Sequence, residues 1–314
     1  MRLLITGALG HIGSKLIHNI KPGQFKDVTL LDNMLTQRYS SLFNLPPGVK
    51  FKFYEENICQ ADLDKYFKGV DVVIHLAAIT DAASTFDKKE LVEEVNYLGT
   101  KKVAEACLRN KCRLIFPSTT SVYGTQEEVV DESCHANVLQ PQSPYAESKL
   151  KAEKLLLKLG KESKLKFVIF RLGTIFGTSI GMRFHTAVNK FCWQAVLGVP
   201  ISVWRTALHQ KRPYLDLNDA LAAMRFVIEQ DLFDNRVYNV VTENLTVNDI
   251  LENIKQHLPK IKIKYVDVKI MNQLSYCVSN DRFKNAGFKF KGNMKKGIAE
   301  TITLLKGTAS GKKN

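Results

Sequence analysis

The sequence predicts an α/β fold in which helices cover both faces of a doubly wound parallel sheet. Short apolar segments alternate with amphipathic segments as far as residue 172, and this alternation is typical of parallel sheets with helical crossovers. Three glycines directly follow the first apolar segment, at positions 7, 10 and 13. The chain of 314 residues is 45% hydrophobic, which is enough for a large core.

The individual elements are predicted from their apolar patterns. Residues 2–6, 28–32, 49–54, 70–76, 113–117 and 167–172 are short apolar runs, as in buried parallel strands. Helices are expected behind the glycines and at residues 61–67, 88–109 and 145–159. The inner face of the helix 88–109 is expected to carry Leu91, Val92, Val95, Leu98 and Val103. Beyond residue 175 the pattern is less regular, with a helix expected at 183–197 and short strands at 200–204, 237–241 and 262–268.

The glycines at the N-terminus form a GxxGxxG pattern between a predicted strand and a predicted helix. Gly7 suits a tight turn, Gly10 lets the backbone approach a pyrophosphate, and Gly13 lets the helix pack close to the strand. A pyrophosphate there would lie on the helix N-terminus, where free N–H groups favour an anion. An ordinary glycine turn between strand and helix is the alternative interpretation.

Asp32 strengthens the interpretation as a dinucleotide site. It ends the second apolar segment, about 20 residues beyond the glycines, where a ribose-binding carboxylate is expected. Its carboxylate would accept a hydrogen bond from the 2′-hydroxyl and repel a 2′-phosphate, which predicts NAD rather than NADP. An ordinary aspartate in a turn after a strand is the alternative.

Tyr145 and Lys149 are the candidate catalytic pair. They stand four residues apart on a predicted helix and therefore share one face. A lysine ammonium, helped by the positive nicotinamide of NAD⁺, would lower the pKa of the phenol and make it a base for a sugar hydroxyl. Ser118 and Thr119 end the preceding strand, at the edge where ligands bind in such sheets. A surface pair and a polar loop cap are the alternatives.

Composition and charge limit the other classes of function. The six cysteines show no CxxC pairing and no metal-ligand spacing, which predicts a reduced, cytoplasmic protein without a metal site. The net charge of +14 could indicate nucleic-acid binding. However, the lysines are scattered and no basic motif with interleaved aromatic residues is present. A solvated lysine-rich surface is therefore expected, with no nucleic-acid partner and no membrane partner.

Taken together, these motifs resemble an extended short-chain dehydrogenase/reductase of the sugar-nucleotide epimerase/dehydratase group, which includes UDP-glucose 4-epimerase. The resemblance covers nearly the whole chain. The motifs that carry it are Gly7-x-x-Gly10-x-x-Gly13, Asp32-Asn33, Asn57-Ile58, His75-Leu-Ala-Ala78, Asn96-x-x-Gly99-Thr100, Ser118-Thr119-x-x-Val122-Tyr-Gly124, Tyr145-x-x-x-Lys149, Phe170-Arg171, Phe176-Gly177 and Arg212-Pro-Tyr-Leu-Asp216.

The resemblance implies a role for each matching residue. It implies a catalytic group of Tyr145, Lys149, Thr119 and Ser118, with Thr119 at the position of the family's catalytic Ser or Thr. It implies cofactor contacts at Gly7, Leu9, Gly10, His11, Ile12, Gly13, Asp32, Asn33, Asn57, Ile58, Leu76, Ala77, Ala78, Asn96, Tyr145 and Lys149. It implies substrate contacts at Thr119, Thr174, Arg183 and Arg212, of which Arg212 would grip a diphosphate. From the residues alone, Arg183 is equally well explained as a solvated helix charge.

The resemblance also implies a division of the chain. Residues 1–174, with a return segment near 212–242, are expected to form an NAD-binding Rossmann domain. Residues 175–211 and 243–308 are expected to form a smaller α/β substrate-binding region, and residues 309–314 a flexible tail. A homodimer through the helices at 88–109 and 145–160 is implied as well.

Several positions depart from the family pattern. Asn57, Thr174 and Pro213 stand where Asp, Asn and Asp are usual, which leaves the identity of the sugar nucleotide open. Thr120 and Ser121 stand where resembling 4,6-dehydratases carry an Asp-Glu pair. The next carboxylates along the chain are those of residues 127 and 128. Epimerisation through a transient ketone is therefore predicted.

Three other functions stay open at this point. One is a nucleotide-sugar reductase or dehydrogenase that uses NAD(P), and another is a catalytically silent NAD(H)-binding regulator on the same fold. The third is nucleic-acid binding, which rests on the charge alone. His185 could supply a second acid or base, although a structural histidine whose hydrogen bonds are satisfied is the favoured interpretation.

Overall fold

A parallel sheet of seven strands forms the centre of the computed structural model, which describes residues 1–80, 86–124, 128–267 and 275–307. The strands are, in chain order, β1 (Arg2–Thr6), β2 (Asp27–Asp32), β3 (Phe51–Glu55), β4 (Val72–His75), β5 (Arg113–Thr119), β6 (Val129–Val130), β7 (Lys166–Leu172), β8 (Thr174–Phe176), β9 (Ile201–Trp204), β10 (Lys211–Asp216), β11 (Val237–Val240), β12 (Glu243–Thr246), β13 (Ile263–Val266) and β14 (Cys277–Val278). The central sheet has the order β3-β2-β1-β4-β5-β7-β11, and all its neighbouring strands are parallel.

The helices lie mostly between these strands. They are α1 (His11–His18), α2 (Asp64–Phe67), α3 (Lys89–Val92), α4 (Gly99–Asn110), α5 (Pro144–Glu162), α6 (Ala187–Val196), α7 (Leu217–Glu229), α8 (Val247–His257), α9 (Asp281–Asn285) and α10 (Met294–Leu305). A π-helical segment, Glu93–Leu98, joins α3 to α4. No helix in the described part of the chain is long and apolar enough to cross a bilayer.

Two apolar clusters cover the two faces of the sheet. One contains Ile17 of α1 and Met224 of α7 against the strands. The other contains Val103 of α4 and Leu156 of α5 against the opposite face. Every residue of β4, in the middle of the sheet, is buried, as expected of a strand covered on both sides. The predicted α/β, doubly wound parallel fold is therefore confirmed.

The C-terminal half contributes smaller sheets. Strands β8, β10 and β12 form one sheet, while β9 and β13 pair in another. A third apolar cluster joins them to α6, α8 and α10. Within the predicted return segment near 212–242, β11 joins the central sheet, whereas β10 pairs with β8 and β12. The domain boundary at residue 174 stays a prediction, and the tail 309–314 lies outside the described residues.

A helical segment is present where residues 88–109 were predicted to form one, but the prediction of its inner face is wrong for two residues. Val92 and Val103 are buried, but Leu91 and Leu98 are 42% and 46% exposed. The π-helical segment at Glu93–Leu98 explains the difference. A π turn contains more residues than an α turn, so side chains around it leave the face that α-helical spacing assigns to them.

The helix expected at residues 183–197 begins later, at Ala187. The Asn189 side chain donates to the Arg183 carbonyl at 3.1 Å and accepts from the Gly177 N–H at 3.3 Å. These bonds hold the segment before α6 in a loop, residues 177–186. The other predicted strands and helices differ from the observed bounds by a few residues at their ends.

Candidate active site

The carboxyl ends of the central strands bring the predicted site residues to one edge of the sheet. Gly7 follows β1, Asp32 ends β2 and Thr119 ends β5. Most of the other predicted cofactor residues also follow the ends of central strands. They are Leu9, His11 and Ile12 in the glycine loop and the start of α1, Asn33 after β2, Asn57 and Ile58 after β3, and Leu76, Ala77 and Ala78 after β4. Ligands of open α/β sheets bind at this edge.

The glycine loop has the shape of a phosphate cradle. Gly7 has a φ of +64°, and a Cβ atom there would lie 2.5 Å from the Ala77 nitrogen. A Cβ on Gly13 would lie 2.4 Å from the Ala8 oxygen, so both positions exclude a side chain. A Cβ on Gly10 would meet only the Gly7 oxygen, at 3.4 Å. Gly10 also caps α1 without a side chain, so the loop and helix N-terminus fit the diphosphate of a dinucleotide.

Asp32 is fixed beside this loop. Its Oδ2 atom accepts from the Leu9 N–H and its Oδ1 atom from the Met34 N–H, both at 3.0 Å. Burial lowers the pKa of Arg38. The nearby Asp32 carboxylate raises the pKa of Arg38, but by less than burial lowers it. Sequence reasoning missed Arg38, although its position six residues after Asp32 in the following loop could have suggested it.

The side chains of Asn57 and Asn96 form hydrogen bonds to backbone groups near the edge of the sheet where the cofactor is predicted to bind. The Asn57 side chain accepts from the Cys59 N–H at 3.0 Å. Asn96 donates its two amide hydrogens to the Ile79 carbonyl at 2.9 Å and the Ser148 hydroxyl at 3.1 Å, and accepts from the Ile79 N–H. Because both amide hydrogens are used inside the protein, Asn96 supports the segment after β4 and the helix of Lys149.

Tyr145 stands in the first turn of α5, opposite the end of β5. The Ser143 side chain caps this helix by accepting from the Ala146 N–H at 3.2 Å. The Thr119 hydroxyl and the Tyr145 phenol are hydrogen-bonded to each other. Burial raises the pKa of Tyr145, while the Thr119 hydrogen bond and the charge of Arg183 lower it. The protein groups alone thus do not bring this phenol to neutrality, and the nearby cation that lowers its pKa is Arg183.

Lys149 is 3% exposed beneath the same edge. Its Nζ atom donates to the Pro117 carbonyl at 2.8 Å and lies 4.6 Å from the centre of the Phe116 ring. Burial lowers the pKa of Lys149 to about 7, and the carboxylate of Glu153 opposes this effect. Glu153 therefore helps to keep an ammonium on Lys149.

Ser118 does not share the position of Thr119. Its hydroxyl donates to Glu153, which is 1% exposed. Both oxygens of Glu153 share a bifurcated hydrogen bond from the Arg171 Nε–H, and Oε2 also accepts from Nη2. Glu153 thus brings a carboxylate to the end of β5, although the next carboxylates along the chain after Thr119 are those of residues 127 and 128. Sequence reasoning missed Glu153 because it lies 35 residues from Ser118 in the chain. The signal that could have indicated it is its position four residues after Lys149, on the same helix face. The arrangement assigns Ser118 to this buried network and leaves Thr119 beside Tyr145.

Thr120 and Ser121, the two residues after Thr119, carry hydroxyl groups rather than carboxylates. The Thr120 hydroxyl donates to the Leu172 carbonyl at 3.3 Å, and Thr120 is 3% exposed. Ser121 is partly buried. Glu128 is exposed on the surface, and residue 127 lies outside the described residues. The Glu153 carboxylate, which reaches Ser118 at the end of β5, is bound to Arg171.

Arg212 and Thr174 lie in the sheet next to this edge. Thr174 begins β8 and is exposed. Arg212, in β10, donates to the Gln210 side chain at 3.0 Å and stacks 5.8 Å from the centre of the Tyr276 ring. The Tyr276 hydroxyl donates to the Thr120 carbonyl at 3.3 Å. This chain of contacts connects Arg212 to the end of β5.

Arg183 and His185 belong to the loop 177–186 rather than to a helix. The charge of Arg183 lowers the pKa of both Tyr145 and His11, so Arg183 lies near both side chains. His185 is exposed, and its interpretation as a structural histidine stays a prediction. The charge of His185 also lowers the pKa of His11.

The chain is similar to known proteins in its sequence and in its fold. Residues 3–240 match the model of the NAD dependent epimerase/dehydratase family. The chain is 30% identical over 237 residues to an uncharacterised UDP-glucose epimerase of Bacillus subtilis (strain 168), covering 73% of this chain and 72% of that protein. It is 28% identical over 315 residues to a trifunctional UDP-glucose 4,6-dehydratase, epimerase and reductase of Arabidopsis thaliana. That match covers 96% of this chain but only 46% of the plant protein.

Solved structures show the same fold. The UDP-glucuronic acid 4-epimerase of Bacillus cereus, in complex with UDP-glucuronic acid and NAD, superposes with a TM-score of 0.88 at 24% identity, covering 98% of this chain and 99% of that one. The NAD complex of a UDP-glucose 4-epimerase from Thermus thermophilus superposes with a TM-score of 0.81 at 25% identity, over 98% and 99% of the two chains. The chain belongs to the NAD-dependent epimerase/dehydratase family of sugar-nucleotide enzymes, and its cofactor is NAD.

Proposed function

We propose that this protein is an epimerase, which inverts one carbon of a nucleotide-activated sugar through a transient ketone. The observation that carries the proposal is the Thr119–Tyr145 hydrogen bond at the end of β5, followed by Thr120 and Ser121. A hydroxyl pair beside NAD suffices for oxidation and re-reduction at one carbon. Expelling water would need a further acid, and the Glu153 carboxylate at this edge is bound to Arg171.

Each group at the end of β5 has a distinct task in this reaction. Thr119 holds the oxygen of the reacting sugar carbon, and Tyr145 takes the hydroxyl proton as the ketone forms and returns it as the alcohol re-forms. When bound, NAD⁺ would supply the hydride acceptor, and the NADH formed from it would return the same hydride to the ketone. Lys149 would hold the cofactor ribose, while the charge of Arg183 stabilises the phenolate of Tyr145. The ammonium form of Lys149 is favoured by Glu153.

The nucleotide diphosphate of the substrate is assigned to Arg212. Replacing Arg212 by alanine should raise KM for the sugar nucleotide by roughly 10- to 150-fold, because hydrogen bonds to charged groups contribute about 1.5–3 kcal/mol. The affinity for NAD should change little. Steady-state kinetics with Arg212→Ala and Arg212→Lys measure this. We expect lysine to recover part of the loss, because it keeps the charge without the planar fork. An unchanged KM in the alanine variant would assign the diphosphate to another residue.

Cofactor preference should depend on Asp32 and Arg38 together. Asp32→Asn removes the charge that repels a 2′-phosphate, while Arg38 stays as a cation beside it. We expect NAD affinity to fall by about tenfold, through loss of a charged hydrogen bond, and NADP affinity to rise. Calorimetric titration of both cofactors measures the change. Adding Arg38→Ala should cancel the gain for NADP, and a gain that persists would exclude Arg38 as its source.

The reaction itself is tested with a panel of substrates. UDP-glucose, UDP-glucuronic acid and dTDP-glucose are the natural first choices, because they occur in the names of relatives and structural neighbours. Each is incubated with the purified enzyme and NAD, and the products are identified by NMR. We expect an epimer of one of them. A deoxy-keto sugar would instead assign the protein to the dehydratases, which are also among its relatives. Net reduction with added NADH would favour the reductase alternative.

We also propose a homodimer that forms through α3, α4 and α5. Leu91 and Leu98 present apolar side chains to solvent on this surface, at 42% and 46% exposure. Leu98→Lys should therefore shift the sedimentation coefficient from dimer to monomer, because a charge cannot be buried there without a partner. Leu304→Lys is the matched control, since Leu304 is 61% exposed on the distant α10. A wild-type protein that sediments as a monomer would contradict the proposal.

A further inference from the structure

Lys149 is a buried cation whose direct contacts are uncharged. It is 3% exposed, and its Nζ atom donates to the Pro117 carbonyl at 2.8 Å. The centre of the Phe116 ring lies 4.6 Å from the same atom. Neither group carries the negative charge that would balance an ammonium. Because a buried ammonium loses its proton more easily than one in water, a nearby carboxylate decides how far Lys149 stays charged.

Two parts of the fold place the Glu153 carboxylate beside Lys149. The two residues are four positions apart in α5 and therefore share one face of the helix. They also bind neighbouring residues of β5, since Lys149 donates to the Pro117 carbonyl and Glu153 accepts from the Ser118 hydroxyl. Both side chains are buried, at 3% and 1% exposure, so water and salt screen their attraction only weakly.

His75, Tyr145 and Arg171 are the other titratable groups that the described residues bring to this pair. Burial and the charge of Lys149 lower the pKa of His75 in β4 to about 3, so its ring is neutral near pH 7. Tyr145 stands one turn before Lys149 on α5, and burial raises its pKa. Arg171 of β7 is a cation that binds the Glu153 carboxylate. Among these groups, the negative charge that favours an ammonium near pH 7 comes from Glu153.

The effect of Glu153 falls in the pH range where enzymes work. Burial lowers the pKa of Lys149 to about 7, and the Glu153 carboxylate opposes this effect. An opposite charge close by typically changes a pKa by about 1–3. Without the carboxylate, Lys149 would therefore be mostly a neutral amine at pH 7. With it, a large share of the molecules carry the ammonium at that pH.

We propose that Glu153 is a positioning residue whose buried carboxylate sets the pH at which Lys149 loses its ammonium, and with it the alkaline limit of turnover. Ser118 and Arg171 hold the carboxylate in place at the end of β5. The second half of the proposal rests on the proposed function, in which Lys149 acts as an ammonium. The first half concerns the charge on Lys149 alone and is measured without turnover.

Two substitutions of Glu153 separate its charge from its place in the ion pair. Glu153→Gln keeps the length of the side chain and removes the charge, whereas Glu153→Asp keeps the charge and shortens the side chain. Lys149 is followed by NMR in the NAD-bound protein, labelled with ¹³C at the lysine ε-carbons and assigned with Lys149→Arg. We expect the midpoint of its titration to fall to a pH about 1–3 lower in Glu153→Gln. In Glu153→Asp it should stay near the wild-type value.

A double variant keeps the test valid if Glu153→Gln does not fold, because that substitution leaves the Arg171 guanidinium buried without an anion. Glu153→Gln with Arg171→Met removes both charges, and neutral replacements of a buried ion pair are often tolerated. The midpoint should fall here as well, but by less, since the Arg171 cation is gone. An unchanged midpoint in the glutamine variants would overturn the proposal. So would an equal fall in Glu153→Asp, because a disturbed structure would then explain the effect.

The pH dependence of kcat/KM tests the connection to turnover. The alkaline limb should move to lower pH in Glu153→Gln and stay in place in Glu153→Asp. Asp219→Asn is the matched control, since Asp219 is a 2% exposed carboxylate of α7 that accepts from the Gly292 N–H at 3.0 Å. Its alkaline limb should match that of the wild type. A Lys149 titration that moves while the limb stays would uphold the action of Glu153 on Lys149 and contradict the task of the ammonium in the proposed function.

Discussion

Replacing Tyr145 by phenylalanine is expected to slow turnover by roughly 100- to 10,000-fold, the usual contribution of a positioned acid–base group. The phenol hydroxyl is the only part of the side chain that is lost. The ring that fills the start of α5 stays in place, so NAD affinity should stay within a few-fold of wild type. Single-turnover kinetics with a sugar nucleotide, together with NAD titration, measure the two quantities separately.

The matched control for this variant is Tyr238→Phe. Tyr238 is a buried tyrosine of β11 whose hydroxyl donates to Asp234 at 2.6 Å. Asp234 precedes β11, at the end of the sheet opposite to the ligand edge. We expect this variant to turn over at the wild-type rate. A Tyr145→Phe enzyme that is equally fast would exclude Tyr145 as the acid–base group.

Replacing Arg171 by alanine is expected to lower the free energy of unfolding by about 3–5 kcal/mol, the usual result of breaking a buried ion pair. Arg171 is 5% exposed and binds both oxygens of Glu153, which is 1% exposed. It also donates to the Tyr123 hydroxyl at 2.9 Å. Without the guanidinium, the Glu153 carboxylate stays buried with the Ser118 hydroxyl as its remaining neutral partner. A loss of this size is a large part of the stability of a typical protein.

Arg109→Ala provides a surface comparison of the same substitution. Arg109 pairs with Asp64 at 2.9 Å, but the two side chains are 55% and 44% exposed. Exposed pairs contribute about 1 kcal/mol or less, so we expect a small change. Urea denaturation followed by circular dichroism compares both variants with wild type. Equal losses for Arg171→Ala and Arg109→Ala would contradict the assigned role of the buried pair.

Local patterns predicted the parts of this site that are close in sequence. The glycine loop follows its strand directly, and its form is set by residues within one turn. Asp32 ends a strand, and the order of strands in a doubly wound sheet brings that end beside the loop. Tyr145 and Lys149 share a face because four residues are about one helical turn. For these residues, position along the chain is enough to determine position in the fold.

The parts that sequence reasoning missed depend on packing between distant segments. Glu153 reaches Ser118 only because α5 crosses the end of β5, and its partner Arg171 comes from a third element. Arg38 sits in an irregular loop, where no periodicity indicates the direction of a side chain. Leu91 and Leu98 turned outward because a π-helical segment replaces an α turn. No pattern in the sequence marks that replacement.

The central claim is epimerisation at one carbon, and mass spectrometry of the product made in D₂O tests it most directly. A ketone that takes back its own hydride draws no carbon-bound hydrogen from the solvent. The product should therefore be an isomer with the mass of the substrate and no carbon-bound deuterium. A product lighter by one water and carrying deuterium on carbon would show dehydration, and would contradict the account built on Tyr145, Thr119 and the hydroxyls of Thr120 and Ser121.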